Sequence, residues 1–147
     1  MKSSLISLIT GLYFTVASGI TLQSIYDVSG PGNGYDKYVV LERNMIYIGE
    51  VGIYEGNVFI EGNGAIVDLN EGLGIWVYAE EDYPANLDIE YVTIINGGYN
   101  GLTFNGNSTG NISNCNFIDN AFGIQIMDNV NITVNNCNFV NNSQYGI

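Results

Sequence analysis

The sequence predicts an all-β fold, a single-stranded parallel β-helix (a solenoid) of about four to five coils. Three observations predict it. The block Asn114-Cys115-Asn116-Phe117-Ile118-Asp119-Asn120 recurs as Asn136-Cys137-Asn138-Phe139-Val140-Asn141-Asn142, an offset of 22 residues. Within each block, apolar residues alternate with polar ones over stretches too short for a helix. Gly, Asn and Asp break those stretches, and Asn tolerates the left-handed backbone that a tight corner requires. The chain has 147 residues, 46% hydrophobic and 12% charged, which fits one packed domain and excludes a disordered one.

Taken from the N-terminus, the first element reads as a secretory leader over residues 1–19. Lys2 supplies a positive start, Leu5 to Ala17 is a mostly apolar run of 13 residues, and Ala17, Ser18 and Gly19 offer a cleavage site. The run is too short to span a bilayer, so the mature chain is expected to be extracellular or at the cell surface, with no membrane insertion. The competing reading is a buried first strand or cap helix. Four Asn-x-Ser/Thr triplets, at Asn107, Asn111, Asn131 and Asn141, fit export but arise by chance in an Asn-rich chain. Residues 20–37 read as a lead-in or cap, and residues 38–147 as the coils.

The coils follow in order. Tyr38-Val39-Val40-Leu41 and Met45-Ile46-Tyr47-Ile48 form the first coil or its cap. Ile66-Val67-Asp68 precedes Gly74-Ile75, and Val92-Thr93-Ile94-Ile95-Asn96-Gly97 precedes Tyr99 and Gly101-Leu102. Gly101 to Gly123 is again 22 residues, and the second Asn-Cys block closes on Tyr145-Gly146-Ile147. Helical repeats need about 33–47 residues per unit, and the leucine-rich signature that would share a shorter period is missing. Stacking equivalent strands about 4.8 Å apart puts apolar side chains in files along a central core. Asn120 above Asn142 is expected to form an inward amide ladder. The chain stops in a strand-forming block, so the expectation is either further coils or an open end that pairs with another chain.

These paired Asn-Cys-Asn-Phe blocks followed by Gly-Ile, with the segment Val58-Phe59-Ile60-Glu61-Gly62-Asn63-Gly64-Ala65-Ile66-Val67-Asp68, resemble the pectate-lyase-like right-handed β-helix superfamily, especially its generic repeat modules. The likeness covers roughly Tyr38 to Ile147. It implies a right-handed fold and leaves activity open, because the superfamily contains lyases, hydrolases, esterases, epimerases, phage tailspikes and adhesins. Its polygalacturonases carry clustered aspartates with a Gly-His-Gly segment, and this chain has no histidine. Its pectate lyases use an arginine or lysine base, and its methylesterases an arginine on the coil face. Here Lys37 and Arg43 precede the clear repeats and no basic residue follows them.

Charge bounds the partner. Asp and Glu number 15 against 3 Lys and Arg, a net charge of -12. A nucleic acid is excluded as a partner, and anionic polysaccharides or lipids are disfavoured without a bridging cation. The partner is expected to be neutral, cationic or metal-bridged. Cys115 and Cys137 share a position in consecutive coils, side by side near 4.8 Å, where an apolar cysteine file continuing Val92 is favoured over a disulfide.

Two outward files are candidate sites. If Ile75, Val77, Leu102, Phe104, Ile124 and Ile126 point inward, then Trp76, Thr103 and Gln125 form one outward file and Tyr78, Asn105 and Met127 the next. Aromatic rings with amide and hydroxyl groups suit sugar binding; the alternative is that Trp76 and Tyr78 lie under the loop 79–86. The second candidate is an acidic corner file of Asp68, Asn96, Asp119 and Asn141. Asp68 and Asp119 are weak candidates as catalytic acids or Ca²⁺ ligands, against the plainer view that Asp and Asn are good corner residues. The expected function is a secreted surface or polysaccharide-binding module without catalysis of its own. The alternatives are the front part of a polysaccharide lyase or glycoside hydrolase, or a structural spacer of an adhesin.

Overall fold

Short apolar runs separated by left-handed corners turn the chain three times per lap, and the computed structural model is wound in that way, as a right-handed parallel β-helix of about five turns. It describes residues 15–147, with side chains from residue 20. The first lap holds β1 (Thr15–Thr21), the helix α1 (Leu22–Val28) and β2 (Lys37–Val40). The second holds β3 (Met45–Ile48), β4 (Val51–Ile53) and β5 (Gly56–Glu61). The third holds β6 (Ile66–Asp68), β7 (Ile75–Ala79) and β8 (Ala85–Glu90). The fourth holds β9 (Thr93–Ile95), β10 (Asn100–Gly106) and β11 (Thr109–Ser113). The fifth holds β12 (Asn116–Ile118), β13 (Phe122–Ile126) and β14 (Asn131–Asn135), and β15 (Asn138–Val140) opens the next.

Stacking the laps gives three parallel sheets. Sheet I runs β1-β3-β6-β9-β12-β15, sheet II β4-β7-β10-β13 and sheet III β2-β5-β8-β11-β14. In the first lap α1 stands where later laps place a sheet II strand. Thr21 caps it, its hydroxyl accepting from the Ser24 N–H at 3.0 Å, and Leu22 is fully buried. Lys37 closes its far end, donating to the Tyr26 carbonyl at 2.7 Å and the Ser29 carbonyl at 3.1 Å, where a helix C-terminus favours a cation. The proposed leader lies mostly outside the described residues; its residues 15–19 run into β1, which pairs with β3 from Thr15↔Met45 onward.

Register confirms the vertical files. Sheet I contributes Tyr47, Val67, Ile94, Phe117 and Phe139 to the interior, and the Phe117 and Phe139 rings stack 5.1 Å apart at 6°. Sheet II contributes Val51, Ile75, Leu102 and Ile124 in one file and Ile53, Val77, Phe104 and Ile126 in the other. All of these sheet II residues are buried except Ile126, which holds its place in register but is 44% exposed. A smaller apolar strip, Ile46, Ile66 and Ile95 with Ile118, packs on the opposite face of sheet I. The sequence reading did not anticipate that strip.

The corners are where asparagine works. Asn96, Asp119 and Asn141 have φ of 58°, 56° and 54° at the corner after sheet I, and Asn114 and Asn136 take 54° and 51° at the corner before it. Inside the first of these corners lies the amide ladder. Asn120, only 2% exposed, accepts from the Gly97 N–H at 2.8 Å and donates to the Ile94 carbonyl at 3.2 Å. Asn142 below it accepts from the Asn120 backbone N–H at 3.1 Å and donates to the Phe117 carbonyl at 3.0 Å. The ladder satisfies backbone groups that the turning chain leaves without strand partners. Cys115 and Cys137 are free thiols; burial is the main cause that pushes the Cys115 thiol up to about 12.

The acidic corner file needs correction. Asp68 is level with Ile95, not with Asn96, and the residue level with Asn96 is the buried Leu69. The third lap turns its corner one step later, placing its left-handed residues at Asn70 and Glu71, so Leu69 stays in the core and Asp68 ends the strand.

Candidate functional site

Lap lengths vary, and the variation builds the site. Phe104 to Gly110 spans the corner between sheets II and III in six steps of chain, whereas the equivalent stretch from Val77 to Leu87 takes ten. The surplus is the loop around Glu80–Pro84, which carries Glu, Asp and Tyr and stands off the solenoid body. Below it lies the corner of the second lap, Tyr54-Glu55, and below that α1 with Tyr26.

Between them is a groove of about 580 Å³ lined by Tyr26, Gly52, Tyr54, Glu55, Tyr78, Glu80 and Tyr83. A second hollow of about 450 Å³ adjoins it, sharing Tyr26, Glu55 and Tyr83 and adding Asp36, Lys37 and Asp82. Tyr54, Tyr78 and Tyr83 expose 63%, 36% and 55% of their surface. Three partly bare rings facing one concavity are unusual, since an aromatic gains about 1.5–3 kcal/mol by burial. The Tyr54 ring reaches across sheet II because Gly52 lacks a side chain; a Cβ there would lie 2.6 Å from the ring's Cε2.

The groove is acidic. Asp36 accepts from the Asn57 N–H at 2.8 Å, while Glu55, Glu80 and Asp82 carry no side-chain hydrogen bond among the described residues. The Lys37 ammonium, held on the helix carbonyls, sits 4.4 Å from the centre of the Tyr26 ring. Desolvation, then Asp27 and Glu55, raise the Tyr26 phenol above its ordinary value.

The expected sugar-binding set divides. Register places Trp76, Thr103 and Gln125 in one file and Tyr78 beside Asn105 in the next. Met127 lies past the end of β13, its N–H bonded to the Phe104 carbonyl. Of the named residues only Tyr78 lines the groove. Trp76 is half-buried, with its indole N–H donating to the Leu73 carbonyl at 3.0 Å. Thr103 is fully buried and accepts from Asn100, which also donates to Gln125 at 2.9 Å. Asn105 is half-buried and accepts from the Gly106 N–H. These polar groups satisfy one another.

Asp68 accepts from the Asn70 N–H and from Asn96 Nδ2, both at 3.0 Å, and Asp119 is exposed at its left-handed corner. Among the described residues no group of three or more His, Cys, Asp or Glu side chains is placed to hold a metal ion. No described helix is long and apolar enough to cross a membrane.

A further aromatic cluster covers the outer face of sheet III. Tyr38 and Phe59 stack 5.2 Å apart, Tyr35 leans on Phe59 at 5.1 Å, and their hydroxyls donate to Glu61 and Asp88. The bond to Asp88 is the main cause that pushes the Tyr35 phenol up to about 12. Sequence reading found only Tyr78 of the groove because the other tyrosines come from α1 (Tyr26) and from the corners of two different laps (Tyr54 and Tyr83). The one available signal was the overlong third lap.

A family model described as the right-handed beta helix region matches residues 10–147. No curated protein and no solved structure matches the chain.

Proposed function

Because the chain belongs to the right-handed β-helix family, whose fold leaves activity open, we propose that its function is set by the corner groove and that it is a polysaccharide-binding module without catalysis of its own. The observation that carries this reading is the convergence of Tyr26, Tyr54, Tyr78 and Tyr83 on one open groove. Flat rings stack on the apolar faces of pyranoses, and the surrounding carboxylates and phenols accept hydrogen bonds from sugar hydroxyls. An open groove rather than a closed pocket suits a long chain bound along its length. The Lys2 start and the apolar run from Leu5 would fit a leader that delivers the module to the cell surface, where polysaccharides are met, with the expected cleavage at residues 17–19 falling inside β1.

Calorimetric titration with a panel of defined oligosaccharides tests it. At least one binds, and Tyr78→Ala and Tyr83→Ala each weaken it about tenfold, the equivalent of one stacked ring. Trp76→Ala, outside the groove, leaves affinity within about twofold. Absence of binding across the panel, or binding indifferent to both tyrosines, rejects the reading.

A further inference from the structure

We infer that the polysaccharide bound in this groove bears ammonium groups, as a polymer of unacetylated amino sugars does, rather than neutral or uronic acid residues. The inference rests on the binding role proposed above and adds the chemical class of the ligand. Glu55 and Glu80 stand on the groove walls and Asp82 in the adjoining hollow, none with a side-chain hydrogen bond among the described residues, beside three partly bare phenol rings. Exposed carboxylates along these walls, on a chain of net charge -12, give the site a negative potential that attracts a cationic ligand. The groove's own cation does not fill that role. Lys37 is committed to the Tyr26 and Ser29 carbonyls, and no ion pair joins it to a carboxylate among the described residues. Its position 4.4 Å over the Tyr26 ring shows that a ring of this groove already accepts an ammonium on its face.

The same arrangement opposes the other classes. A uronic acid polymer would bring a carboxylate at each residue into a wall of carboxylates, on a chain of net charge -12. A neutral glycan would stack on the rings but draw nothing from the charge of the carboxylates. An amino sugar meets both features at once. Its ring faces cover Tyr78 and Tyr83, and its ammonium reaches Glu80 or Asp82 in a charge-assisted hydrogen bond.

The test compares four hexamers on the intact chain by calorimetry: glucosamine, N-acetylglucosamine, glucose and galacturonic acid. The glucosamine hexamer binds at least roughly tenfold tighter than its acetylated counterpart, and galacturonate binds most weakly. The double variant Glu80→Gln, Asp82→Asn abolishes that preference, while Asp128→Asn, an exposed carboxylate away from the groove, leaves it unchanged. The second arm separates the groove from general attraction to an acidic protein. Equal or tighter binding of the neutral or acidic hexamers overturns the inference and leaves glycan binding at the groove standing. An ammonium preference that Asp128→Asn reduces as much as the groove variants also overturns it. Failure of all four hexamers overturns the inference, and the binding reading then depends on the wider panel.

Discussion

Replacing Asn120 by alanine is the sharpest probe of how the corners are held. The side chain is almost fully buried and serves backbone groups of two laps: it accepts from Gly97 N–H, donates to the Ile94 carbonyl, and donates to Asn142 Oδ1 at 3.3 Å. Gly97 is buried, so no water replaces the lost acceptor. A buried donor left without a partner costs about 1–3 kcal/mol, and an orphaned carbonyl adds somewhat less. The sum is about 3 kcal/mol, or roughly 6–12 °C in Tm for a domain of this size. Urea and thermal unfolding measure it. Asn142→Ala, lower in the same ladder and half-buried, costs about 1–2 kcal/mol, and the double variant costs less than the sum because the two amides share a bond.

Asn120→Asp refines the test through pH. The acceptor toward Gly97 survives, but a carboxylate oxygen then faces two other acceptors, the Ile94 carbonyl and Asn142 Oδ1. The folded state therefore favours the protonated acid and raises its pKa above the ordinary value of about 3.9. A raised acid means stability lost as pH rises through the folded value, so the variant is weakest at neutral pH and recovers on acidification. A loss below about 0.5 kcal/mol for Asn120→Ala, or an Asn120→Asp deficit that does not shrink in acid, would refute the ladder as a stabilising element.

Four further outcomes follow from the same geometry. Tyr35→Phe removes the bond to Asp88; because the folded phenol titrates near 12 instead of 10.0, its contribution is complete below 10.0 and fades as pH climbs toward 12, so the stability gap between wild type and variant narrows over that range in denaturant titrations. Tyr91, exposed at φ 53° in a corner where later laps use Asn114 and Asn136, is strained, and Tyr91→Asn raises stability by about 0.5–1 kcal/mol in thermal unfolding. Cys115 stays unmodified by a thiol reagent in the folded chain and reacts only on unfolding, since it is fully buried and its thiol lies near 12. Deleting Glu80–Tyr83 while keeping Pro84, whose carbonyl accepts from the Gly56 N–H, shortens the third lap to the length of the fourth; folding persists within a few degrees of Tm, roughly the scale of loop-length effects, and binding in the groove disappears.

The architecture was legible because it is written in repetition. Phe117 and Phe139 recur at a fixed offset, and the structure stacks them ring on ring. The Asn120–Asn142 ladder and the pairing of Trp76 with Thr103 and Gln125 follow from the same arithmetic. Prediction weakened where the period drifts. Counting from the strand put Asp68 over Asn96, but the third lap takes its turn at Asn70 and Glu71, and the count was out by one. Exposure was harder still. Thr103 points outward in register yet is fully buried, because Asn100 and Gln125 close over it, and alternation along a strand says nothing about what neighbouring side chains do.

That contrast explains where a function can be carried in such a fold. A residue on a strand face is tied to the laps above and below, so its side chain is drawn into ladders of mutual hydrogen bonds, as Asp88 is by Asn111 at 2.8 Å and by Tyr35 at 2.7 Å. A corner can ladder its side chains too, as Asn120 and Asn142 do, but extra residues there have no counterpart in the next lap and leave the core files undisturbed: Val77 and Leu87 still align with Phe104 and Gly110 across the long third lap. Corners are therefore the positions where rings and charges can stand without partners in the fold. Here the corners of successive laps, with α1 beneath them, set Tyr26, Tyr54 and Tyr83 around Tyr78, with Glu55 and Glu80 among them. The solenoid supplies the spacing between those groups, and the insertion around Glu80–Pro84 supplies the wall that turns a row of side chains into a groove.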